Sequence, residues 1–240
     1  MAELVVIDRP SPNHGPRADG APIDILLLHY TGMPDGAAAL ARMCNPAAEV
    51  SAHYMVEEDG TVYRLVEEAR RAWHAGVACW AGERDVNSRS IGIELVNPGH
   101  EVGYRPFPEP QMAALETLAA DILARHPAIV PARVLGHSDV APTRKTDPGE
   151  LFDWRRLAAV GIGLWPADDR PAESALPSDI GAAQRMLVRY GYEVAPSGKL
   201  DAATVRVIEA FQRHFRPSRV NGALDHETRQ RLTALLAAVG

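Results

Sequence analysis

Cysteine is nearly absent: Cys44 and Cys79 are the two in 240 residues, so no disulfide framework can hold this chain together. At most one bridge is available, and so few thiols suit a reducing compartment at least as well. Long apolar runs are missing too. The best candidate, Ile25 to Leu28, stops at His29, far short of the ~20 residues that a membrane span requires. Basic charge is not in excess. The net charge is −6 and the pI about 5.8, which gives no electrostatic reason to expect a nucleic-acid partner. Met1 to Asn13 carries Glu3 and Asp8 and has no basic start ahead of an apolar core, so no secretory signal is expected there. What remains is ordinary: 46% hydrophobic and 23% charged residues exclude disorder, collagen and coiled coil.

Two units are expected. Residues 164–177 hold three prolines, little apolar content and no periodicity, the composition of a linker. Charge changes across it: residues 178–240 carry a net +3 and the rest −9. Within 1–163, Asp24–Leu28 reads as a buried strand ending at His29. Segments 51–57 and 61–66 flank Asp59-Gly60, a hairpin signal. Ser90 to Val96 alternates as a strand with Ile91, Ile93 and Leu95 on one side and Gly92, Glu94 and Val96 on the other. Glu109 to Arg125 has the apolar spacing of an amphipathic helix, and Val134-Leu135 is a short strand before Gly136-His137. Strands interleaved with helices place this unit in the α/β class. In 178–240, helices are expected over 180–190, 202–215 and 225–239, with Asp201 and Asp225 at N-cap positions, giving a small all-α bundle.

The residues that bear chemistry lie apart in the chain. A strand ending in His29 delivers an imidazole to a fixed point at a sheet edge. Gly136 to Gly149 packs a histidine, two aspartates and a lysine into a Pro/Gly-rich loop. Two imidazoles and one carboxylate, His29, His137 and Asp147, suit a zinc ion that leaves its fourth position open. On composition alone a solvated His/Asp loop is an equal reading. Glu94 interrupts an apolar strand, where it either meets solvent at an edge or points into a cleft as a general acid/base. Lys145 could place a cation beside a developing oxyanion or be an ordinary surface charge.

Five segments occur in a telling order: Ile25–Thr31, Ser51–Tyr54, Ala72–Gly76, Asn87–Asn97 and Gly136–Gly149. Over about residues 20 to 163 they resemble the type 2 N-acetylmuramoyl-L-alanine amidases, relatives of phage lysozyme-type amidases and of peptidoglycan recognition proteins. The resemblance implies a mixed central sheet flanked by helices and one zinc per chain held by His29, His137 and Asp147. It also implies Glu94 as acid/base and Lys145 as oxyanion stabiliser. Trp73, His74 and Asn87 match positions around the family's cleft and are expected near substrate, with His53 supporting them from behind. Recognition-only relatives lack a full zinc set, so its retention favours catalysis. Over about 178 to 236, the segments Ile180–Leu187, Gly198–Thr204, Ile208–Gln212 and Gly222–Thr228 resemble the three-helix bacterial peptidoglycan-binding domain.

The implied division is 1–163 catalytic, 164–177 linker and 178–240 wall-binding. The implied reaction is hydrolysis of the amide joining N-acetylmuramic acid, in its ordinary or 1,6-anhydro form, to L-alanine of the stem peptide. Muropeptide or peptidoglycan is then the partner, in recycling or wall turnover. The alternatives are a non-catalytic peptidoglycan-binding or sensing protein and a zinc hydrolase of another amide or ester. Met1–Asn13 favours the cytoplasm, whereas a wall-binding unit would suit the periplasm.

Overall fold

The computed structural model describes residues 4–167 and 171–240; residues 168–170 of the expected linker, and Met1 to Glu3 of the amino-terminal segment, lie outside the described residues. The elements follow in chain order: β1 (Val6–Asp8), β2 (His14–Pro16), β3 (Ile25–Tyr30), α1 (Gly36–Met43), β4 (Tyr54–Val56), β5 (Val62–Arg64), β6 (Arg70–Ala72), α2 (Val86–Arg89), β7 (Ser90–Leu95), α3 (Gly99–Val102), α4 (Glu109–Arg125), β8 (Val134–Gly136), α5 (His137–Val140) and α6 (Trp154–Ala159). Three further helices complete the chain: α7 (Ile180–Tyr190), α8 (Ala202–Phe215) and α9 (His226–Val239).

Six strands form one sheet in the order β1-β5-β4-β7-β3-β8. Its centre is parallel, β3 pairing with β7 and β8 and β4 with β7, while β4 and β5 form the antiparallel hairpin expected around Asp59-Gly60. The class is therefore mixed α/β, as the sequence pattern and the resemblance implied. Central parallel strands are covered on both faces, which is why β3 reads as an unbroken apolar run. Leu26, Leu28, Ile91, Ile93 and Leu95 pack on one face against Met112, Leu115, Leu118 and Ile122 of α4. Gln111 of α4 is buried there, its amide donating to the carbonyls of Val56 and Val96 at 2.9 and 3.0 Å. A second, two-stranded sheet pairs β2 with β6; its residues are mostly half-buried or exposed and carry no apolar alternation, so the sequence pattern gives no strand at either.

The opposite face is covered from the carboxy-terminal end of the chain. Ile25 and Leu27 of β3 belong to one continuous apolar cluster with Trp80, Leu135, Val140, Phe211, Phe215, Leu232 and Leu235. Helices α7, α8 and α9 begin at Asp179, Asp201 and Asp225, whose carboxylates accept from the backbone N–H three residues on, the capping geometry that starts a helix. Two buried glutamines then repeat one device. Gln184 donates to the Lys199 carbonyl and Thr204 Oγ1, and Gln212 donates to the Ala223 carbonyl and Thr228 Oγ1, so each ties a loop to the helix that follows it.

Because the apolar cluster crosses from the sheet into α8 and α9, both parts share one core. Phe211 is fully buried in it. Phe211→Ala is expected to cost about 3–5 kcal/mol, and thermal unfolding followed by near- and far-UV circular dichroism should show the whole chain melting earlier in a single transition.

Candidate active site

The pairing of β3 with β8 sets Leu28 opposite Gly136. The next residue on each is a histidine, so His29 and His137 leave the sheet side by side. Their Nδ1 atoms are 2.9 Å apart. Asp147 reaches the same point from the loop after α5, its Oδ2 3.1 Å from His29 Nδ1 and 3.0 Å from His137 Nδ1. The loop is tied back by the Ser138 N–H donating to the Asp147 carbonyl at 2.9 Å. All three side chains are buried, and together they form the group among the described residues that could hold a metal ion.

The donor set fits zinc. Nitrogen and oxygen ligands at about 2.0–2.1 Å in a tetrahedral shell have donor–donor edges of about 3.3 Å, close to the triangle of 2.9–3.1 Å seen here. Metal-ligating imidazoles need their far nitrogen occupied. His137 Nε2 donates to the Ala75 carbonyl at 2.9 Å, leaving Nδ1 free as a lone-pair donor. His29 Nε2 donates to His74 Nδ1 at 3.0 Å, His74 Nε2 to Ser90 Oγ at 3.3 Å, and the Ser90 hydroxyl to the Val86 carbonyl at 2.6 Å. One chain of donors thus orients His29.

Electrostatics agree. Burial, with His137 close by, lowers His29 to about 4. Burial alone would push Asp147 up, yet the adjacent His137 and His29 hold it well below the usual carboxylate range. An imidazole held neutral at His29 and a carboxylate held ionised at Asp147 are protonation states that a divalent cation requires.

Glu94 stands opposite His29 in the β3–β7 register, on the same face. Its Oε2 is buried with no hydrogen-bond partner among the described residues. Desolvation and then the Asp147 charge raise its pKa well above the ordinary value, against a smaller opposing effect of the Lys145 ammonium. Glu94, Lys145, Trp73 and His74 line one cavity of about 650 Å³ together with His137 and Asp147 of the donor triangle. The cavity runs on to Arg42 on one side and to His100 on the other.

Two of the expected residues lie behind that wall. Asn87 is buried, its Oδ1 accepting from the N–H groups of His74 and Ala75 at 3.1 and 2.9 Å, so it fixes the segment whose carbonyl orients His137. His53 is fully buried; its Nδ1 accepts from Gly92 N–H at 2.9 Å and its Nε2 lies 3.1 Å from the Arg70 carbonyl. Gly92 is needed for space: a Cβ there would sit 2.6 Å from the His74 ring.

Sequence reasoning missed Tyr30 and Arg144. The Tyr30 hydroxyl lies 2.9 Å from His100 Nδ1 and 3.0 Å from Thr146 Oγ1, bracing the cavity rim. Arg144 Nη2 donates to the carbonyls of Ala75 and Val77, strapping the ligand loop to the His74 segment. Each sits beside a predicted residue, His29 and Lys145, and adjacency was the available signal.

His53 also sets an acid limit. Burial, then the Arg17 guanidinium, lowers it to about 3, against an ordinary 6.5. Below pH 6.5 the unfolded chain takes up a proton that the folded protein refuses, so the stability present above 6.5 is lost as pH falls toward 3. His53→Gln should therefore reduce the pH-slope of unfolding free energy between pH 6 and 4 by up to one proton, about 1.4 kcal/mol per pH unit, measured by urea titration.

Residues 19–150 match the family model described as N-acetylmuramoyl-L-alanine amidase, and residues 177–232 match a peptidoglycan binding domain. N-acetylmuramoyl-L-alanine amidase AmiD of Escherichia coli (strain K12) is 40% identical over 236 residues, 91% of this chain and 84% of that protein. The 1,6-anhydro-N-acetylmuramyl-L-alanine amidase AmpD of Enterobacter cloacae is 34% identical over 168 residues, 63% of this chain and 87% of its own length. The structure of E. coli AmiD with anhydro-N-acetylmuramic acid-L-Ala-D-gamma-Glu-L-Lys superposes with a TM-score of 0.82, covering 93% of each chain at 40% identity. By sequence and by fold alike, this chain belongs to the N-acetylmuramoyl-L-alanine amidases.

Proposed function

We propose that the protein hydrolyses the amide between N-acetylmuramic acid, in its 1,6-anhydro or ordinary form, and L-alanine of a muropeptide, with zinc held by His29, His137 and Asp147. The observation that supports this most directly is the donor triangle beside Glu94, two of whose members, His137 and Asp147, line a cavity large enough for a sugar and the start of a peptide. Relatives with 1,6-anhydro-N-acetylmuramyl-L-alanine amidase names, and the AmiD complex with an anhydro-muropeptide, support the substrate class. The proposed division is 1–163 catalytic, 164–177 connecting and 178–240 peptidoglycan-binding, the last supported by the match at residues 177–232.

Bound at the triangle, zinc supplies a Lewis acid that polarises the scissile carbonyl and acidifies water. Glu94 takes a proton from the attacking water as its oxygen bonds to the carbonyl carbon. The carboxyl, whose environment favours the protonated form, then gives that proton to the alanine nitrogen as the C–N bond breaks. Lys145 sets its ammonium beside the oxyanion formed in between. Trp73 and His74 form the cavity wall along which the muropeptide lies. Among the described residues no helix is long and apolar enough to cross a membrane. The cytoplasm is the proposed compartment, supported by Cys44 and Cys79 both being free.

Purified wild type should release L-alanyl peptide from anhydro-muropeptide. Glu94→Ala should keep its zinc and lose at least 100-fold in kcat, while His137→Ala should lose zinc and activity together. Chromatography of the products with metal analysis of each variant decides the matter. Full activity in zinc-loaded Glu94→Ala would remove Glu94 from the chemistry, and tight binding of intact muropeptide without turnover would make this a recognition protein.

A further inference from the structure

The ligand loop holds a second buried carboxylate. Asp139 is two residues after His137, 1% exposed, and its hydrogen bonds go to groups outside the donor triangle. Its Oδ2 accepts from the Gly136 N–H at 2.8 Å, within its own turn. The other two donors come from the carboxy-terminal helices. The Tyr192 hydroxyl donates to Oδ1 at 2.6 Å, and His214 Nδ1 donates to Oδ2 at 2.7 Å.

Both donors are held rigidly. The His214 ring is stacked between Trp154 and Phe215, with centroids at 3.8 and 3.9 Å and interplanar angles of 18° and 7°. Its Nε2 is buried without a partner among the described residues, so Nδ1 is the nitrogen that carries the proton toward Asp139. Tyr192 is buried edge-on to Trp80, at 5.1 Å and 73°. Trp80 in turn closes over the chain at Gly191, where a Cβ would lie 2.5 Å from its ring. A carboxylate at this depth is tolerated only when hydrogen-bonded. Two of its three donors belong to the unit expected to bind wall polymer.

We infer that Tyr192 and His214 are positioning residues for the catalytic centre: by clamping Asp139 they fix the Gly136–His137 turn, so the carboxy-terminal helices complete the metal site rather than serve as a wall anchor alone. The inference rests on the proposal that His137 is a metal ligand. Outer residues that orient ligands change metal affinity by 10–100-fold when removed, and that is the scale expected here. The Arg84–Glu193 ion pair is another polar contact between the two parts, beside the Ala81 N–H donating to the Gly191 carbonyl; it is exposed and distinct from Asp139. It gives a control for docking alone.

Zinc affinity of the full chain, measured by competition with a chromophoric chelator at a temperature where circular dichroism shows every variant folded, tests this. Tyr192→Phe and His214→Leu should each bind zinc about 10-fold more weakly. His214→Asn, whose side-chain amide can donate from the place of Nδ1, should recover most of the loss, and Arg84→Gln should match wild type. In an Asp139→Asn background, Tyr192→Phe should add less than twofold, because the acceptor it serves has lost its charge. At saturating zinc the kcat of Tyr192→Phe should return to within about twofold of wild type. Wild-type affinity in folded Tyr192→Phe and His214→Leu would overturn the inference, as would an equal loss in Arg84→Gln. Failure of wild type itself to bind zinc would overturn the metal assignment instead, so the two failures are distinguishable.

Discussion

The parallel register of β3 against β8 is the constraint on which the site depends. With Leu28 opposite Gly136, the residues that follow are both histidines, and no further design is needed to bring their Nδ1 atoms within 2.9 Å. A shift of one residue would turn His29 to the opposite face of the sheet, into the apolar layer of Leu26 and Leu28 against α4. That layer is what holds the register. The hydrophobic pattern that makes β3 a core strand and the geometry that sets His29 beside His137 and Asp147 are therefore one fact seen at two levels.

The same coupling fixes Glu94. Strand β7 runs beside β3 with Glu94 opposite His29, and Ile91, Ile93 and Leu95 bury the other face, so the carboxyl has a single side to occupy. Gly92, one step earlier on that side, leaves room for the His74 ring, which orients His29. Strand alternation thus places both the acid/base candidate and the support of the His29 imidazole. Desolvation by the same packing raises Glu94 and lowers His29, and these opposite directions follow from burial disfavouring charge of either sign.

Much of this was legible along the chain. The apolar run ahead of His29, the alternation around Glu94, the Asp59-Gly60 hairpin and helices α4, α7 and α8 carry period-2 or period-3.6 signals that packing then obeys. Strands β2 and β6 carry none, since short strands that bury little are selected by pairing and not by burial. Asn87 was placed near substrate by its motif, whereas its Oδ1 holds backbone behind the cavity. A motif marks that a residue belongs to a site; which side of the wall it serves is decided by backbone hydrogen bonds distant in sequence. For the same reason nothing along the chain links Tyr192 and His214, both within the bundle expected over 178–240, to Asp139.

The two aspartates of the ligand loop show most clearly what composition cannot separate. Asp139 and Asp147 lie eight positions apart in one loop and are nearly equally buried. Asp147 meets two imidazole nitrogens kept free to accept a cation. Asp139 meets a phenol, a backbone N–H and an imidazole locked by stacking, all of which donate. A carboxylate whose lone pairs are engaged by three donors is structural glue, and one facing only lone-pair donors calls for a metal. Apolar residues at 139, 192 and 214 could have filled the same volume at comparable stability, but they would slide where hydrogen bonds at 2.6–2.8 Å allow one docking geometry. Adjacent to a donor triangle whose function would require its members to be held within about 0.5 Å, that directional fit is what the buried polar cluster contributes.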